Sequence, residues 1–374
     1  MHISVWEKES FYAPKDIIIV GSGFVGLWCA WHLKKKKPAL NIAIADRGII
    51  PTGASTRNAG FACFGSLTEL VTNIAHDGEA AMLQLLEMRY RGLQRIRKVF
   101  KAAAIDFERC GGYELFTGQQ DQAQLHQHID TLNVLLAGIT GISKTFRFAD
   151  QKIAAFGLQD VTHLVENKLE GYLHSGKLCQ QLMLAVQSMG VTILNNVEVT
   201  GIEKANGRML LHTQPHVPLQ AEQVVVCTNA FARQLLPDVQ VNPARGQVLV
   251  TAPIEGLPLK GTFHYDEGFY YFRNLGNRVL LGGARNKAFE EESTIRMDIT
   301  DTIQQELERF LARHILHGRA YTITDRWSGI MGMGNEKMPV IKEITPQLFC
   351  AVRMSGMGVA LAPVIGEQIA ERMC

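Results

Sequence analysis

Asp16-Ile-Ile-Ile-Val-Gly-Ser-Gly-Phe-Val-Gly26 joins an apolar run to a GxGxxG turn, and Asn41-Ile-Ala-Ile-Ala-Asp46 follows as a second apolar run that ends in an acid. This order predicts a strand, a turn, a helix and a second strand, which is the βαβ unit of dinucleotide-binding folds. The glycine motif alone would be weak evidence, but a strand precedes it and an acid follows at the required spacing. The pattern therefore predicts that the protein binds an adenine dinucleotide.

Each residue of the motif has a physical reason to be there. Gly21 permits the tight turn, Gly23 lets the backbone approach a pyrophosphate, and Gly26 lets the helix pack closely on the strand. The helix N-terminus offers unpaired N–H groups and the positive end of a dipole to phosphates. Asp46 can accept hydrogen bonds from a ribose diol. The predicted site also includes the neighbours Ser22, Phe24, Val25 and Arg47.

Composition and charge argue against several classes of protein. The chain has 374 residues, 47% hydrophobic and 20% charged, so two or three globular domains are expected. A net charge of +2, with Lys34 to Lys37 as the one basic run, predicts no nucleic-acid partner. No apolar run is long enough to span a bilayer and residues 1–15 do not resemble a signal peptide, so we expect a cytoplasmic location. Seven cysteines without a CxxC pair argue against a disulfide framework, and no metal site is expected.

Hydrophobic periodicity predicts two kinds of architecture along the chain. Residues 51–66 contain too many turn formers for a regular element, whereas residues 78–101 have helical apolar spacing. Short apolar runs divided by turns predict an antiparallel sheet over residues 245–285. Further predicted elements are a strand at 113–116, a helix at 119–137, a helix at 175–189, strands at 191–194, 197–203 and 223–227, a helix near 303–311, a strand at 348–352 and a helix at 358–372. An α+β substrate domain beside a dinucleotide domain fits this order.

Two later segments point to a particular dinucleotide. They are Gly53-Ala-Ser-Thr-Arg-Asn-Ala-Gly60, after the second strand, and Ser355-Gly-Met-Gly358, which opens the last helix. With the N-terminal glycine loop they resemble the D-amino-acid oxidase and glycine oxidase superfamily of FAD-dependent enzymes. The 53–60 segment looks most like the amine-oxidising, gamma-glutamylputrescine oxidase-like branch. Further motifs that match are Cys227-Thr-Asn-Ala230, Arg245-Gly-Gln247, Leu281-Gly-Gly283 and Arg326-Trp-Ser-Gly329.

The resemblance implies a fold and a cofactor site. The fold is of mixed α/β and α+β class: a Rossmann-like FAD-binding domain (1–78, 160–238 and 326–374) is interleaved with an antiparallel-sheet, glycine oxidase-like substrate domain (79–159 and 239–325). FAD is expected to bind non-covalently. Beyond the glycine loop, the residues implied to contact it are Ala54, Ser55, Arg57, Asn58, Ala59, Gly60, Val199, Thr228, Asn229, Ala230, Gly329, Gly356, Met357, Gly358 and Val359.

The sequence departs from the family where substrate carboxylates are bound. Members that oxidise amino acids carry an arginine shortly after the Trp-x-Gly motif, and this chain has Met331 there. A second arginine position, just before the final glycine, is held by Gly356 or Met357. A thioether cannot replace a bidentate guanidinium. A simple α-amino acid bound in the usual way is therefore not favoured, and a more apolar pocket is predicted, with core packing of the methionines as the alternative.

The candidate catalytic residues lie on the predicted antiparallel sheet. His264, Tyr271 and Arg273 are the candidates there, and Tyr271 and Arg273 share one strand face while Tyr270 points the other way. Ordinary packing of the sheet is the alternative for each of them. The predicted substrate pocket consists of Phe61, Cys63, Tyr270, Met331 and Met357. For Cys63 a buried, inert thiol is the alternative.

These features together predict an FAD-dependent oxidoreductase that oxidises the C–N bond of a small amine or amino-acid derivative. Hydride would pass from the carbon beside the nitrogen to flavin N5, the imine would hydrolyse, and O2 or another acceptor would reoxidise the flavin. The nearest alternative is dehydrogenation of a C–O substrate, such as a hydroxy acid or polyol phosphate. A flavin-binding protein without turnover and an NAD(P)-dependent dehydrogenase are the remaining alternatives.

Overall fold

A computed structural model describes residues 2–214 and 217–374. In chain order its helices are α1 (Val5–Glu9), α2 (Phe24–Lys36), α3 (Ala54–Arg57), α4 (Leu67–Asp77), α5 (Glu79–Val99), α6 (Gln122–Thr140), α7 (Ser175–Ser188), α8 (Asp301–Phe310) and α9 (Gly358–Met373). Its strands are β1 (Lys15–Val20), β2 (Ile42–Asp46), β3 (Phe61–Ala62), β4 (Gly112–Phe116), β5 (Phe146–Phe148), β6 (His163–Asn167), β7 (Gly171–Tyr172), β8 (Thr192–Asn195), β9 (Glu198–Ala205), β10 (Arg208–Gln214), β11 (Leu219–Val226), β12 (Asn242–Thr251), β13 (Thr262–Tyr265), β14 (Tyr270–Leu275), β15 (Arg278–Gly283), β16 (Ile323–Met333), β17 (Val340–Thr345) and β18 (Leu348–Val352).

The first sheet contains the predicted βαβ unit. Its strand order is β17-β18-β11-β1-β2-β8, and β18, β11, β1, β2 and β8 are parallel. In the antiparallel hairpin β9–β10, strand β10 pairs with the first residues of β11 (219–221), whereas β18 pairs with its last residues (224–226). Strand β17 pairs antiparallel with β18. Because β1 is hydrogen-bonded on both sides and covered on both faces, it reads as a continuous apolar run.

Helix α2 is buried on nearly all sides. Its residues from Phe24 to Leu33 are all buried except Trp31, as expected for a helix enclosed between other layers. A Cβ on Gly26 would lie 2.0 Å from the Gly21 carbonyl oxygen, and one on Gly366 of α9 would lie 2.7 Å from the Cys29 nitrogen. Glycine at these positions lets α2 touch the glycine loop and α9 at backbone distance.

The second sheet is almost wholly antiparallel, as predicted. Its order is β16-β12-β15-β14-β13-β4-β6-β5, with only β13 and β4 parallel. One face packs on α8, where the rings of Phe263 and Phe272 stack at a centroid distance of 4.8 Å. Since side chains alternate along a strand, the residues between them face the opposite way, toward the first sheet.

The helix predicted at 78–101 is confirmed as α5, but the separate helix α4 before it was not predicted. Residues 51–66, expected to be irregular, contain the short elements α3 and β3. Strands β6 and β16 belong to the second sheet although most of their residues fall in segments assigned to FAD binding. Helix α5, assigned to the substrate domain, packs on α9 instead. The division into two domains otherwise stays a prediction. Among the described residues, no helix is long and apolar enough to cross a membrane.

The packing of α5 on α9 generates a stability prediction. A Cβ on Gly92 would lie 1.8 Å from the Ala360 carbonyl oxygen, so Gly92→Ala is expected to force the helices apart and lower the free energy of unfolding by about 1–3 kcal/mol. Gly138 of α6 is the matched control, because nothing lies within 4 Å of its Cβ position. Gly138→Ala should raise stability by up to about 1 kcal/mol through helix propensity. Urea unfolding measures both, and equal effects of the two changes would contradict this packing.

Candidate functional site

A cavity of about 600 Å³ lies where the carboxyl ends of the parallel strands face the second sheet. Val20 and Asp46 line it at the ends of β1 and β2, and Tyr271 and Met331 line it from the second sheet. Ligands of open α/β sheets bind at this edge of the strands. The volume is within the range of small-molecule and cofactor sites.

The glycine loop and the start of α2 form one end of the cavity. Helix α2 begins after Gly23 without a side-chain cap of its own, and the Phe24 N–H donates to the Ser55 hydroxyl at 2.9 Å. The Asp46 carboxylate accepts from the Ser22 N–H and hydroxyl, both at 2.7 Å, and from the Gly48 N–H at 2.8 Å. A carboxylate has about four acceptor sites, so it retains capacity for a ribose hydroxyl.

The 53–60 segment is clamped between the two sheets. The Arg57 guanidinium donates to the carbonyls of Thr52 and Ser328, at 3.0 and 2.9 Å, and the Trp327 indole donates back to the Arg57 carbonyl at 2.9 Å. The Asn58 side chain donates to two carbonyls of α3 and accepts from the Gly60 N–H. This segment therefore presents a pre-organised backbone to the cavity.

The N-terminus of α9 forms a further part of the cavity wall. The Asn229 side-chain oxygen accepts from the N–H groups of Arg353 and Met354, at 3.1 and 3.4 Å, and holds the loop that precedes the helix. Helix α9 starts after Met357 without a side-chain cap, and residues 356–360 line the cavity. The free N–H groups of this helix can therefore stabilise negative charge on a bound group.

Polar atoms without partners fit a polar occupant of this cavity. Among the described residues, buried side-chain atoms without a hydrogen bond include Asn73 Nδ2, Thr228 Oγ1 and Ser355 Oγ, and all three residues line the cavity. Buried polar groups are normally satisfied, so a ligand with many acceptors and donors is expected to pair with them. Together with the N-termini of α2 and α9, these atoms fit the FAD implied by the sequence resemblance.

The structure brings most of the predicted residues to the cavity wall. These are Gly21, Gly23, Phe24, Val25, Asp46, Arg47, Ala54, Ser55, Arg57, Asn58, Ala59, Phe61, Cys63, Val199, Thr228, Asn229, His264, Tyr271, Gly329, Met331, Gly356, Met357, Gly358 and Val359. Four predicted cofactor residues lie behind the wall instead, namely Ser22, Gly26, Gly60 and Ala230. Three of these four support the wall: Ser22 holds Asp46, Gly26 packs on the glycine loop, and Gly60 makes room for Arg273.

Two predicted substrate-site residues do not line the cavity. Tyr270 points to the other face of its strand, where its ring stacks on Phe310 at 4.8 Å and its hydroxyl donates to Glu306. Arg273 is only 4% exposed and donates to the Ala59 carbonyl at 2.7 Å and more weakly to Leu173. Alternation of side chains along β14 explains why Tyr270 points away from the cavity. Arg273 lies on the same strand face as Tyr271, as predicted, but it is too far along β14 to line the cavity. Its contacts make it a clamp on the 53–60 segment.

His264 lies between the cavity and a buried carboxyl group. Its Nε2 is 3.9 Å from Oε2 of Glu170, and its ring packs edge-on against Phe61 at 5.2 Å. Burial lowers the pKa of His264 to about 4, so the imidazole is neutral at pH 7. Burial also raises the pKa of Glu170 to about 8, although the N–H groups of Phe64 and Gly65 oppose that shift.

Tyr271 and Cys63 complete the aromatic end of the cavity. Gly282, which pairs with Tyr271, leaves space for that ring, since a Cβ there would lie 2.5 Å from it. Burial raises the pKa of Tyr271 to about 12, so its hydroxyl is neutral. Burial, followed by the charges of Glu170 and Glu69, holds the pKa of the Cys63 thiol well above its usual range. This thiol therefore has the properties of the inert alternative.

Sequence reasoning missed several residues of the cavity. Glu69 and Lys337, whose charged groups are 4.0 Å apart, line it together with Asn73 and Arg285. Arg285 has a local signal in the sequence, because it stands two residues after the motif Leu281-Gly-Gly283. No comparable signal marks the others, since they come from helices and loops without a motif. The described residues contain no group of three or more side chains that could hold a metal ion.

Comparison with known proteins gives consistent relatives. The chain is 23% identical over 368 residues to a probable oxidoreductase OrdL of Rhizobium meliloti, covering 95% of this chain and 82% of the relative. It is 22% identical to the gamma-glutamylputrescine oxidoreductase of Escherichia coli, covering 95% and 83%. The fold is similar to that of glycine oxidase from Geobacillus kaustophilus, with a TM-score of 0.77, 20% identity and coverage of 96% of this chain and 94% of that chain.

A family model decides the assignment. The model of the DAO family, described as FAD dependent oxidoreductase, matches residues 16–372, which is nearly the whole chain. The glycine loop, the 53–60 segment and the start of α9, which carried the sequence resemblance, all lie inside the match and all line the cavity. The chain therefore belongs to the DAO family of FAD-dependent oxidoreductases, and it is an enzyme.

Proposed function

We propose that this enzyme oxidises the C–N bond of a small amine or amino-acid derivative. Support comes first from the relatives, whose names refer to gamma-glutamylputrescine and glycine, and from a structural neighbour named iminodiacetate oxidase. All three names denote compounds that contain a C–N bond. When bound, FAD supplies the acceptor for the hydride that leaves the carbon beside the nitrogen.

The observation that carries the proposal is the placement of His264. Its imidazole lies at the cavity wall, packs edge-on against Phe61 at 5.2 Å and has the buried Glu170 carboxyl behind it at 3.9 Å. Burial lowers the pKa of His264, so the ring is neutral at pH 7. A neutral imidazole can accept a hydrogen bond from an amine, and it adds no positive charge that would repel an ammonium group. This placement supports C–N chemistry.

The residues around His264 orient the substrate and exclude water. Phe61 and Tyr271 pack against each other at a ring distance of 5.9 Å, and Met331 lies beside Tyr271 near Gly246. His264 Nε2 lies 3.9 Å from Oε2 of Glu170, while its Nδ1 lies 3.8 Å from the position that a Cβ on Gly268, a residue of the cavity wall, would take. Nδ1 is thus the imidazole atom placed to meet a substrate N–H, and Glu170 is a positioning residue behind it.

The direct test is anaerobic reduction of the purified holoenzyme by a panel of primary amines, secondary amines, amino acids and 2-hydroxy acids. We expect loss of the oxidised-flavin absorbance with members of one amine class, and a carbonyl product together with ammonia or a smaller amine. Reduction by 2-hydroxy acids alone would show that the bond oxidised is C–O. No reduction by any member of the panel would favour a flavin-binding role without turnover.

Replacement of His264 tests its part in the reaction. His264→Leu is expected to slow anaerobic flavin reduction by about 10–100-fold at pH 7, because the amine then lacks its acceptor. The loss should persist at pH 10, because an acceptor that orients the nitrogen is needed whether or not the amine has already lost its proton. His264→Asn, which keeps a polar group near the Nδ1 position, serves as the conservative variant and should recover part of the rate. Stopped-flow absorbance gives the rates, and an equal loss in His264→Leu and His264→Asn would contradict the acceptor role.

The buried carboxyl of Glu170 predicts a pH-dependent stability. Its folded-state pKa of about 8 exceeds the unfolded value, so the folded protein binds an extra proton between about pH 4.5 and 8. This contribution to stability is fully present below the unfolded pKa and is lost as the pH rises through 8, at up to about 1.4 kcal/mol per pH unit. Glu170→Gln should therefore gain stability relative to the wild type between pH 5 and pH 8.

Urea unfolding at the two pH values measures this change. Glu114, whose pKa burial raises to about 7, contributes in the same direction in both proteins and cancels in the comparison. Glu255→Gln is a suitable control, because that exposed carboxylate lies outside the cavity wall. A stability difference between Glu170→Gln and the wild type that does not vary with pH would contradict a protonated Glu170.

A further inference from the structure

The motif Arg245-Gly-Gln247 on β12 has one residue in the cavity wall and two behind it. Gly246 lines the cavity, and its Cβ position lies 3.6 Å from the Tyr271 hydroxyl oxygen. Because side chains alternate along a strand, those of Arg245 and Gln247 leave β12 on the opposite face. Both are buried, at 2% and 0% exposure. They are therefore available to hold another part of the chain in place.

The segment that they hold is residues 288–300, which we call the strap and which lies between β15 and α8. The strap contains no helix or strand, and Glu292 is its one buried residue. Its three large apolar side chains, Phe289, Ile295 and Ile299, are 47%, 49% and 43% exposed. Burial of apolar surface therefore contributes little to the attachment of the strap.

Polar contacts fix the strap at two points. At the first, Arg245 Nε donates to both carboxylate oxygens of Glu292, at 3.2 and 3.1 Å, and the Arg245 N–H donates to the Glu292 carbonyl at 2.7 Å. Gln247 Nε2 also donates to Glu292 Oε1 at 2.9 Å. At the second point, Gln247 Nε2 donates to the Thr300 hydroxyl at 2.9 Å, and the Thr300 N–H donates to Gln247 Oε1 at 3.0 Å. Breaking a buried network of this kind is costly, so both ends of residues 293–299 are held firmly.

A weaker contact holds the residues between these two points. Arg245 Nη1 donates to the Asp298 carboxylate, which is 38% exposed and also pairs with the exposed Arg296. Exposed ion pairs contribute little to stability. Met297, the neighbour of Asp298, is the one residue of the strap that lines the cavity. The position of Met297 therefore depends on a partly exposed ion pair between two firmly held ends.

We propose that Met297 limits the length of the substrate, and that Arg245 and Gln247 are positioning residues that hold it at the cavity wall. This inference rests on the proposed function, since it concerns the substrate of the same site. Asp298 pairs with Arg245, whose neighbour Gly246 lies beside Tyr271, so Met297 meets the cavity at the end that carries this tyrosine. A methionine side chain is unbranched and flexible, and it therefore closes this end around an apolar group.

The length limit follows from the two kinds of attachment. Glu292 and Thr300 stay in place because their partners are buried, whereas the Asp298 contact can open at small cost. Residues 293–299 then move away from the cavity and carry Met297 with them. A substrate short enough to leave Met297 in place meets no resistance, and a longer one must displace it. Discrimination by length is thus a property of the strap and not of the strands around the flavin.

Titration of the holoenzyme with straight-chain amides, from acetamide to octanamide, tests this limit without turnover. The visible spectrum of bound FAD reports binding. We expect the wild-type affinity to rise by about fourfold per added methylene until the chain reaches Met297, and then to stop rising. Met297→Ala removes Cγ, Sδ and Cε, so the rise should continue for about two further methylenes, an increase of about tenfold for the longest amides. Ile295→Ala is the matched control, because Ile295 is an exposed residue of the same strap outside the cavity wall.

The positioning role is tested by Asp298→Asn, which leaves the cavity wall unchanged and weakens the contact with Arg245. It should raise the affinity for the longest amides by about two- to fivefold and leave that for propionamide unchanged. Asp160→Asn is the control, because it weakens another exposed ion pair, with Arg313, far from the wall residues. The double variant Arg245→Met/Glu292→Leu removes both buried charges together, so it avoids an unpaired buried carboxylate and should produce a larger effect than Asp298→Asn.

Two results would overturn the inference. One is a Met297→Ala protein that gains no affinity for the longer amides, or gains no more than Ile295→Ala. The other is a length preference that Asp298→Asn and the double variant leave as it is in the wild type, since Arg245 would then have a structural role only. Failure of the proposed C–N chemistry is a separate result, because it is read from flavin reduction by amines and not from the binding of amides.

Discussion

The structure depends on close backbone contact between α2 and its neighbours. Gly26 lets the helix touch the glycine loop, and Gly366 lets α9 touch α2 from the other side. Larger side chains would separate these elements by the width of a methyl group. Because α2 and α9 are held at this distance, residues at both N-termini line one cavity. The positive ends of both helix dipoles therefore contribute to the electrostatic character of the site.

Two arginines far apart in the chain hold the segment between the sheets. Arg57 reaches β16, and Arg273 of β14 reaches the Ala59 carbonyl. Both side chains donate to backbone carbonyls, so they fix the path of the chain more than they contribute charge to the ligand. Both contacts are with strands of the second sheet, so they fix the position of the 53–60 segment relative to that sheet.

Buried acids determine the electrostatics near the substrate end. Burial and the like charge of Glu69 raise the pKa of Glu170, while Arg89 lowers it and also pairs with Glu69. His264 and Glu170 are both neutral at pH 7, and the fixed charges near them include those of Glu69 and its two partners, Arg89 and Lys337.

Local patterns made much of the fold and cofactor site predictable. A βαβ unit that presents a helix end to phosphates accounts for three local features together. They are the spacing of the glycines, the acid at position 46 and the apolar run of β1. The motif segments at 53–60 and 355–358 were likewise recognisable because their chemistry depends on residues adjacent in the chain. Period-two alternation also separated Tyr271 from Tyr270, although it did not show which face would meet the cavity.

The sequence by itself determined the dinucleotide unit, the antiparallel sheet and most of the predicted residues that line the cavity, because each depends on short-range spacing. Only the tertiary structure decided the roles of Glu170, Arg273 and Arg245. Their partners are remote in sequence: Glu170 meets His264 across two strands, and Arg273 meets a carbonyl more than 200 residues away. Arg245 meets Glu292 in a segment without regular structure. Burial and pairing arise from the packing of whole elements, and no local pattern encodes them.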